Sequence, residues 1–193
     1  IFRQVGRDTG DIFEAADEKG EADSGVADVL PDVFKVVDMQ QEKLARSLGG
    51  GHRVIHGVAG SGKTMILGYR SLHLAEVLNK PILVICFNIT LAARLRSMMA
   101  SRGVGKKVQV YHFHDWCSSQ VRAYNLTPPP AGDDYVTALA NSVIRAVDRG
   151  QVPRGQYGAL LIDEGHDFEV DWLRLVVQMV DPDEGSLLLL YDD

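Results

Sequence analysis

Short apolar segments recur along the chain, each bounded by glycine, proline or charged residues. One of them, Ile82–Phe87, is an unbroken apolar run, which is typical of a strand buried on both faces of a parallel sheet. In all, five segments predict strands, at Arg53–Gly57, Ile82–Phe87, Val108–Tyr111, Ala159–Ile162 and Leu187–Leu190.

Between these segments, apolar residues recur at the spacing of amphipathic helices. The first predicted helix begins near Asp38 and is closed by the stop Gly49-Gly50-Gly51. The others are predicted at 62–78, 90–100, 134–148 and 172–180, with the proline run Pro128-Pro129-Pro130 as a loop. Strands that alternate with helices predict an α/β fold with a mainly parallel sheet.

The amino-acid composition is typical of a globular protein. The chain has 193 residues, 46% of them hydrophobic and 24% charged, which suits one globular domain with a real core. No apolar run approaches the roughly 20 residues of a membrane span. Its two cysteines, Cys86 and Cys117, suit a reducing cytoplasm and are expected to be small buried hydrophobes. A cytoplasmic protein without a membrane partner is therefore expected.

The net charge of −6 is unevenly distributed. Residues 1–34 contain nine acids and three bases, and we interpret residues 1–36 as an acidic lead-in or linker. By contrast, 77–114 contains six basic residues and no acid: Lys80, Arg94, Arg96, Arg102, Lys106 and Lys107. Such a basic stretch could meet phosphates, or it could be a solvated helix face.

A phosphate-binding loop is the most specific motif. Eight residues between the first strand and the next helix fit the pattern G-x-x-x-x-G-K-[ST]. Glycines allow backbone N–H groups to surround phosphate oxygens, and the helix start adds the positive end of its dipole. Lys63 is expected to reach the β- and γ-phosphates, and the Thr64 hydroxyl to ligate Mg²⁺. The predicted nucleotide site consists of Gly57, Val58, Ala59, Gly60, Ser61, Gly62, Lys63 and Thr64.

A second part of the site is predicted where the apolar run Leu160-Leu161-Ile162 ends in Asp163-Glu164. A buried strand ending in an acid would bring Asp163 beside the magnesium held by Thr64. Glu164 would then polarise the attacking water. Alone, the pair could equally be a polar strand terminus. Together with the phosphate loop it predicts an ATPase that activates water, with Lys63, Asp163 and Glu164 as catalytic residues.

Further short motifs accompany these two, around Gln41, Phe87 and His114. In their order and spacing the motifs resemble the first RecA-like domain of superfamily one helicases of the UvrD/Rep/PcrA type. The resemblance covers residues 37–193. It implies a P-loop NTPase fold, ATP and Mg²⁺ as cofactors, and movement on single-stranded DNA, with RNA as an alternative.

The segment Val37-Asp38-Met39-Gln40-Gln41 is similar to that family's adenine-reading Q motif. By spacing, Gln41 matches the conserved amide of the motif and Gln40 is a close competitor. A glutamine amide can pair with both a donor and an acceptor of adenine, which favours ATP over GTP. Without the resemblance, either residue would be interpreted as an exposed helix glutamine.

The resemblance also implies contacts with a nucleic-acid strand. Phe87 is the candidate for base stacking, with Asn88 and Arg94 near the backbone. A core phenylalanine is an almost equal alternative. His114 matches the histidine of the family's Thr-x-His-x-x-Cys element, while His112 stands where threonine is usual. His114 could instead be a satisfied core histidine.

Two departures from the family pattern affect its later motifs. The segment Asp163–Asp167 is similar to Asp-Glu-x-Gln-Asp, with His166 in place of the glutamine and Asp167 expected to orient neighbouring loops. Imidazole can still donate and accept hydrogen bonds. Coupling of this segment to the phosphate or to the nucleic-acid site is therefore expected to be altered rather than lost. The last residues, 188–193, resemble the start of motif III, which normally continues into a glutamine.

The resemblance implies a second RecA-like domain that donates arginine fingers, and we expect this chain to be part of a longer protein. Without those arginines it should bind ATP but hydrolyse it poorly. A nucleotide-dependent switch or an ATPase without motor activity is the alternative; a GTPase is disfavoured because Asn79-Lys80-Pro81-Ile82 lacks the aspartate of a guanine-reading motif. A relic interaction module is disfavoured by the intact Lys63, Thr64, Asp163 and Glu164.

Overall fold

The computed structural model describes residues 39–49, 51–57, 62–132 and 134–192. Within them, five strands form one sheet in the order β1-β5-β4-β2-β3, and every pairing is parallel. The strands are β1 (His52–Gly57), β2 (Ile82–Cys86), β3 (Val108–His112), β4 (Ala159–Asp163) and β5 (Ser186–Asp192).

Helices connect successive strands and cover the sheet. Their bounds are α1 (39–47), α2 (Lys63–Val77), α3 (Ile89–Ser101), α4 (Phe113–Ala123), α5 (Tyr135–Asp148) and α6 (Val170–Val177). A short 3₁₀ turn, Gly165–Asp167, follows β4. The predicted α/β fold is therefore confirmed, with a sheet that is parallel throughout the described strands.

Two hydrophobic cores lie on opposite faces of the sheet, because successive strand residues alternate in direction. In β2, Leu83 and Ile85 belong to the core with α4, α5 and α6, whereas Val84 belongs to the core with α1, α2 and α3. All five residues of β2 are buried, as are all five of β4. This burial is why their sequences read as continuous apolar runs rather than alternating ones.

The carboxyl ends of the parallel strands meet at one edge of the sheet. In the ladders, Cys86 at the end of β2 lies opposite Asp163 at the end of β4, and Gly57 at the end of β1 lies opposite Asp192. In open α/β sheets, ligands bind outside this edge. The predicted motifs follow strand ends, so the topology gathers them there.

The helix α1 is attached to α2 by one buried arginine. The Arg70 guanidinium donates to the Ala45 carbonyl oxygen through Nη1, at 3.2 Å, and to the Gly49 carbonyl oxygen through Nη2. These carbonyls lie at the carboxyl end of α1, where the helix leaves its last oxygens without partners. Arg70 thereby fixes α1, which carries Gln41, beside the helix that carries Lys63 and Thr64.

Some predicted boundaries were wrong. The helix predicted at 172–180 is Val170–Val177 instead, because the chain then turns and Val180 forms a β-bridge with Tyr157. The helix α4 was not among the predicted helices. It forms because Phe113, Trp116 and Cys117 share one buried face.

Other expectations concern burial and the membrane. Cys86 and Cys117 are both fully buried, as predicted, and form no disulfide. Across the described ranges, no helix combines the length and hydropathy needed to cross a bilayer. The acidic lead-in, residues 1–36, lies outside the described residues, so the predicted domain boundary stays a prediction.

Candidate functional site

Thr64 and Asp163 meet at the carboxyl edge of the sheet. Thr64 is the second residue of α2, and its Oγ1 donates a hydrogen bond of 3.0 Å to Asp163 Oδ2. The other carboxylate oxygen, Oδ1, accepts from the Glu164 backbone N–H at 3.0 Å. Asp163 is only 2% exposed, so its charge acts in a poorly solvated place. A hydroxyl and a carboxylate side by side are oxygen ligands of the kind that Mg²⁺ takes.

Cys86 lies opposite Asp163 in the ladder between β2 and β4. Its thiol is buried and faces the carboxylates of Asp163 and Glu164. Burial first, and those carboxylates second, raise the pKa of Cys86 to about 12. The thiol therefore stays protonated at neutral pH, and a thiol that keeps its proton is a poor metal ligand and nucleophile.

Lys63 lies at the first position of α2 with its ammonium group turned back toward β1. Its Nζ donates a hydrogen bond of 2.7 Å to the Gly57 carbonyl oxygen, and the residue is 8% exposed. The lysine thus bridges the two ends of the phosphate loop, Gly57 and Gly62. Val58, Ala59, Gly60 and Ser61, the loop between them, lie outside the described residues.

Gly62 ends that loop in a conformation that side chains rarely adopt, with φ of +81°. A Cβ built on Gly62 would also collide with the Gln41 amide nitrogen Nε2. Glycine is therefore required twice at this position, for the backbone angle and for the approach of Gln41. Gln40, the competing glutamine, is exposed.

The Gln41 amide has spare hydrogen-bonding capacity. Its Oε1 is buried and, among the described residues, has no hydrogen-bond partner. A buried acceptor without a partner costs about 1–3 kcal/mol, which a donor on a bound ligand can recover. The exocyclic amino group of adenine is such a donor, so the Gln41 side chain fits the base that the sequence motif implies.

Glu164 adopts a left-handed backbone conformation, with φ of +53°, directly after β4. For a residue other than glycine this costs about 1–3 kcal/mol, and such strain is concentrated at functional sites. It turns the chain from β4 into the 3₁₀ turn, so that the Glu164 carboxylate approaches the His166 ring. The distance from Glu164 Oε2 to His166 Nε2 is 3.3 Å.

An aromatic cluster adjoins this edge beyond β2 and β3. Phe87 lies between three rings, with centroid distances of 5.8 Å to Phe168, 6.1 Å to His112 and 6.2 Å to His114. It is only partly buried and packs against the core with α4 and α6. Phe87 therefore has one side on the core and stays partly accessible, and base stacking at this position stays a prediction.

His114 lies in the same cluster, 5.3 Å from the Trp172 ring. Burial first, and the neighbouring His112 second, lower its pKa, although Asp115 opposes them. Its Nε2 is buried and has no hydrogen-bond partner among the described residues. His114 is thus a neutral ring in the cluster at neutral pH, with one nitrogen left unsatisfied.

The other two residues predicted to contact a nucleic-acid strand are the N-terminal cap of α3 and an exposed residue of that helix. Asn88 caps the helix, because its Oδ1 accepts a 3.1 Å hydrogen bond from the Leu91 N–H. Arg94 is exposed on α3 and lines a groove of about 340 Å³ that also includes Thr64. Arg102 lines the same groove, which the charge pattern suggested only as part of a longer basic stretch.

The basic stretch is not one surface. Lys80 lies near the opposite end of β2, where its ammonium pairs with Asp181 and donates to the Gly155 carbonyl oxygen. Arg96 donates through Nε to the Val110 carbonyl oxygen, at 3.2 Å, on the outer strand β3. Only part of the predicted basic stretch therefore faces the carboxyl edge of the sheet.

Tyr191 is a site residue that sequence analysis missed. Its ring lies 5.2 Å from the His56 ring and 5.6 Å from the His166 ring, between the end of β1 and the turn after β4. The sequence placed it only within residues 188–193, at the end of an apolar run that resembles the start of motif III. That placement could not show which strand would be the neighbour of β5.

The donor set fits a magnesium-bound nucleoside triphosphate. In such a complex the Lys63 ammonium would meet the phosphates, the Thr64 and Asp163 oxygens would hold the metal, and the unpartnered Gln41 oxygen would meet the base. These groups belong to three elements, α1, α2 and β4, that the fold brings together. Among the described residues, the cysteines do not form a further group of metal ligands.

Comparison with known proteins gives an independent line of support. No curated protein matches the chain. Residues 37–131, however, match the family model of the UvrD/REP helicase N-terminal domain. The match takes in Gln41, Lys63 and Thr64, and Phe87, His112 and His114 of the aromatic cluster, and it ends before Asp163. The match supports the assignment of this region to the N-terminal domain of UvrD-like superfamily one helicases.

Proposed function

We propose that this chain is the ATP-binding lobe of a superfamily one DNA helicase or translocase, which couples ATP hydrolysis to movement on single-stranded nucleic acid. The hydrogen bond between Thr64 and Asp163 carries this proposal. It joins the helix after the phosphate loop to the strand end that bears Glu164. A nucleotide-binding site of this kind needs both halves in contact.

Each residue of the site then has a separate task. Lys63, Gly57, Gly62 and the loop residues Ala59, Gly60 and Ser61 hold the phosphates, and Gln41 selects adenine. Thr64 and Asp163 hold Mg²⁺, which when bound neutralises phosphate charge. Glu164 orients and polarises the attacking water as the general base.

The left-handed backbone of Glu164 supports its role. An ordinary extension of β4 would point successive side chains to opposite faces of the sheet. The conformation at φ of +53° instead ends the strand at once, so that both Asp163 and Glu164 lie at the carboxyl edge of the sheet. One acid is then available to the metal and the other to water.

The partly exposed aromatic cluster supports a strand-binding role for the adjoining surface. Base–aromatic stacking contributes about 1–3 kcal/mol per base and tolerates any sequence. We infer that Phe87 stacks on a base, with His114 beside it, while Asn88 and Arg94 lie along the phosphate backbone. Single-stranded DNA is the proposed ligand, with RNA as the alternative.

A second RecA-like lobe is the proposed partner. An arginine finger from such a lobe contributes about 10³–10⁵ in rate. We therefore expect the lobe alone to bind ATP and hydrolyse it slowly, because the proposed arginine finger belongs to the second lobe.

The test is the ATPase activity of the intact protein with and without single-stranded DNA. Stimulation by the strand, lost in Glu164→Gln with ATP binding retained, is the expected result. As the control, Glu184→Gln changes an exposed glutamate in the turn before β5 and should leave turnover unchanged. ATP turnover that single-stranded DNA leaves unchanged would instead favour a nucleotide switch or an ATPase without motor activity.

A further inference from the structure

The ring of Tyr191 connects the two sides of the nucleotide site. On one side lies His56, the residue before Gly57, and on the other lies His166 in the 3₁₀ turn. The His166 and Tyr191 rings meet edge to face, with an interplanar angle of 68°. Edge-to-face packing is the favoured arrangement of aromatic rings, and it fixes their orientation as well as their distance.

The same imidazole faces two carboxylates. His166 Nε2 lies 3.3 Å from Glu164 Oε2 and 3.7 Å from Asp167 Oδ1. An N–H on Nε2 is present both in the imidazolium and in one neutral tautomer, so the attraction needs no particular charge state. All three side chains are between one third and one half exposed, which makes each contact weak by itself.

The backbone brings these side chains together. Gly165, between Glu164 and His166, packs so closely on β5 that an added Cβ would collide with the Leu189 side chain. The turn is therefore pressed against β5, the strand that also carries Tyr191. The packing of this turn on β5 therefore supports the positions of Glu164 and His166, in addition to the backbone conformation of Glu164.

We propose that His166 is a positioning residue for Glu164, and that Tyr191 holds the His166 ring in the orientation this requires. His166 and Tyr191 together connect the Glu164 carboxylate to β5. Through the contact of Tyr191 with His56 they also connect it to the end of β1, where the phosphate loop begins. His166 stands where the family pattern has glutamine, whose amide has no aromatic ring to pack edge to face against Tyr191. The inference rests on the proposed role of Glu164 in ATP hydrolysis.

A kinetic comparison tests the proposal on the intact protein. His166→Ala should lower kcat about tenfold, up to the ~100-fold that misplacing a catalytic group costs. KM and the affinity for a non-hydrolysable ATP analogue should change less than about twofold, because His166 holds neither phosphate nor base. His166→Gln, which restores an N–H donor, should recover part of kcat. An unchanged kcat in His166→Ala would overturn the proposal.

A double-mutant cycle tests the role of Tyr191. Tyr191→Leu should lower kcat in the wild-type background but have little further effect in His166→Ala, because Tyr191 acts through the imidazole. Tyr191→Phe keeps the ring and is the matched comparison, and it should retain more of kcat than Tyr191→Leu. Equal effects of Tyr191→Leu in both backgrounds would show that Tyr191 does not act through His166.

Nuclear magnetic resonance of the nucleotide-free protein gives a readout without turnover. The ring resonances of His166, assigned by their loss in His166→Gln, should shift both in Glu164→Gln and in Tyr191→Leu. Resonances that stay in place in both variants would contradict the contacts themselves.

The outcomes also separate this inference from the proposed function. If Glu164→Gln stops hydrolysis while His166→Ala turns over like wild type, the proposed function stands and the positioning role fails. If the wild-type protein does not bind ATP at all, the proposed function fails and the inference falls with it.

Discussion

The Thr64 hydroxyl donates to Asp163 Oδ2 at 3.0 Å, across 99 residues of sequence. The two residues meet because α2 begins, and β4 ends, at the same edge of a parallel sheet. Neither residue would be informative alone, since threonine at a helix start and aspartate at a strand end are common. Their contact gives the edge a pair of oxygen ligands beside the buried Lys63.

The Thr64–Asp163 pair predicts how ATP binding depends on magnesium. In wild type, chelation of Mg²⁺ should weaken the binding of ATP. Thr64→Val keeps the shape of the side chain but removes the hydroxyl, so ATP affinity should become nearly independent of Mg²⁺. Calorimetric titration with and without a chelator measures this difference, and Thr90→Val, at an exposed position of α3, is the control. A full magnesium effect in Thr64→Val would exclude its role as a ligand.

Two glycines with similar backbone angles separate strain from function. Gly49 and Gly62 have φ of +66° and +81°, so alanine at either should cost about 1–2 kcal/mol of unfolding free energy. A Cβ on Gly49 meets nothing within 4 Å, whereas one on Gly62 collides with Gln41. Gly62→Ala alone should therefore also lose ATP affinity. Denaturant unfolding and calorimetry measure the two effects, and equal ATP affinity in the two variants would argue against a closely fitted site.

The aromatic cluster predicts how the protein binds single-stranded DNA. Phe87→Leu preserves apolar bulk but removes the π face, so affinity should fall by about 1–3 kcal/mol. Arg94→Ala should lower the slope of log affinity against log salt by about 0.7, the value for one phosphate of a single strand. Fluorescence anisotropy across a salt series measures both. Arg149→Ala, at an exposed position after α5, should change neither, and wild-type behaviour of Phe87→Leu would assign Phe87 to the core alone.

His114 predicts a pH dependence of stability. Burial and His112 hold its pKa in the folded protein below the ordinary 6.5. As the pH falls through 6.5, the unfolded chain takes up a proton that the folded protein resists, so the free energy of unfolding declines until the folded pKa is passed. His114→Phe keeps a ring against Trp172 and should flatten this decline. Urea unfolding of wild type and His114→Phe at pH 8 and pH 5 measures the decline in the free energy of unfolding in each. Identical declines would show that His114 does not contribute to this pH dependence.

Much of the fold was predictable because β2 and β4 are buried on both faces. Their apolar runs could hardly form anything other than inner strands of a parallel sheet. The helix α4 was harder, because its buried face consists of aromatic residues and cysteine, separated by histidine, serine and aspartate. Tertiary packing against Trp172 and Phe168, not local propensity, supports that helix.

The candidate site was predictable where a motif has a fixed spacing, as for Lys63 and Thr64. Its neighbours from other strands were not, because a sequence does not reveal strand order. Tyr191 approaches His166 only because β5 lies between β1 and β4. Likewise, Lys80 belongs by sequence to the basic stretch, yet the fold pairs it with Asp181 away from the site.

The most direct measurement of the central claim is calorimetric titration of the protein with Mg²⁺ and ATP, in wild type and in Lys63→Ala. Wild type should bind one ATP, and Lys63→Ala should bind at least about tenfold more weakly, a loss of ~1.4 kcal/mol or more. Lys106→Ala removes an exposed lysine in the turn before β3 and should bind like wild type. Equal affinity in wild type and Lys63→Ala would contradict the assignment of this edge as an ATP site.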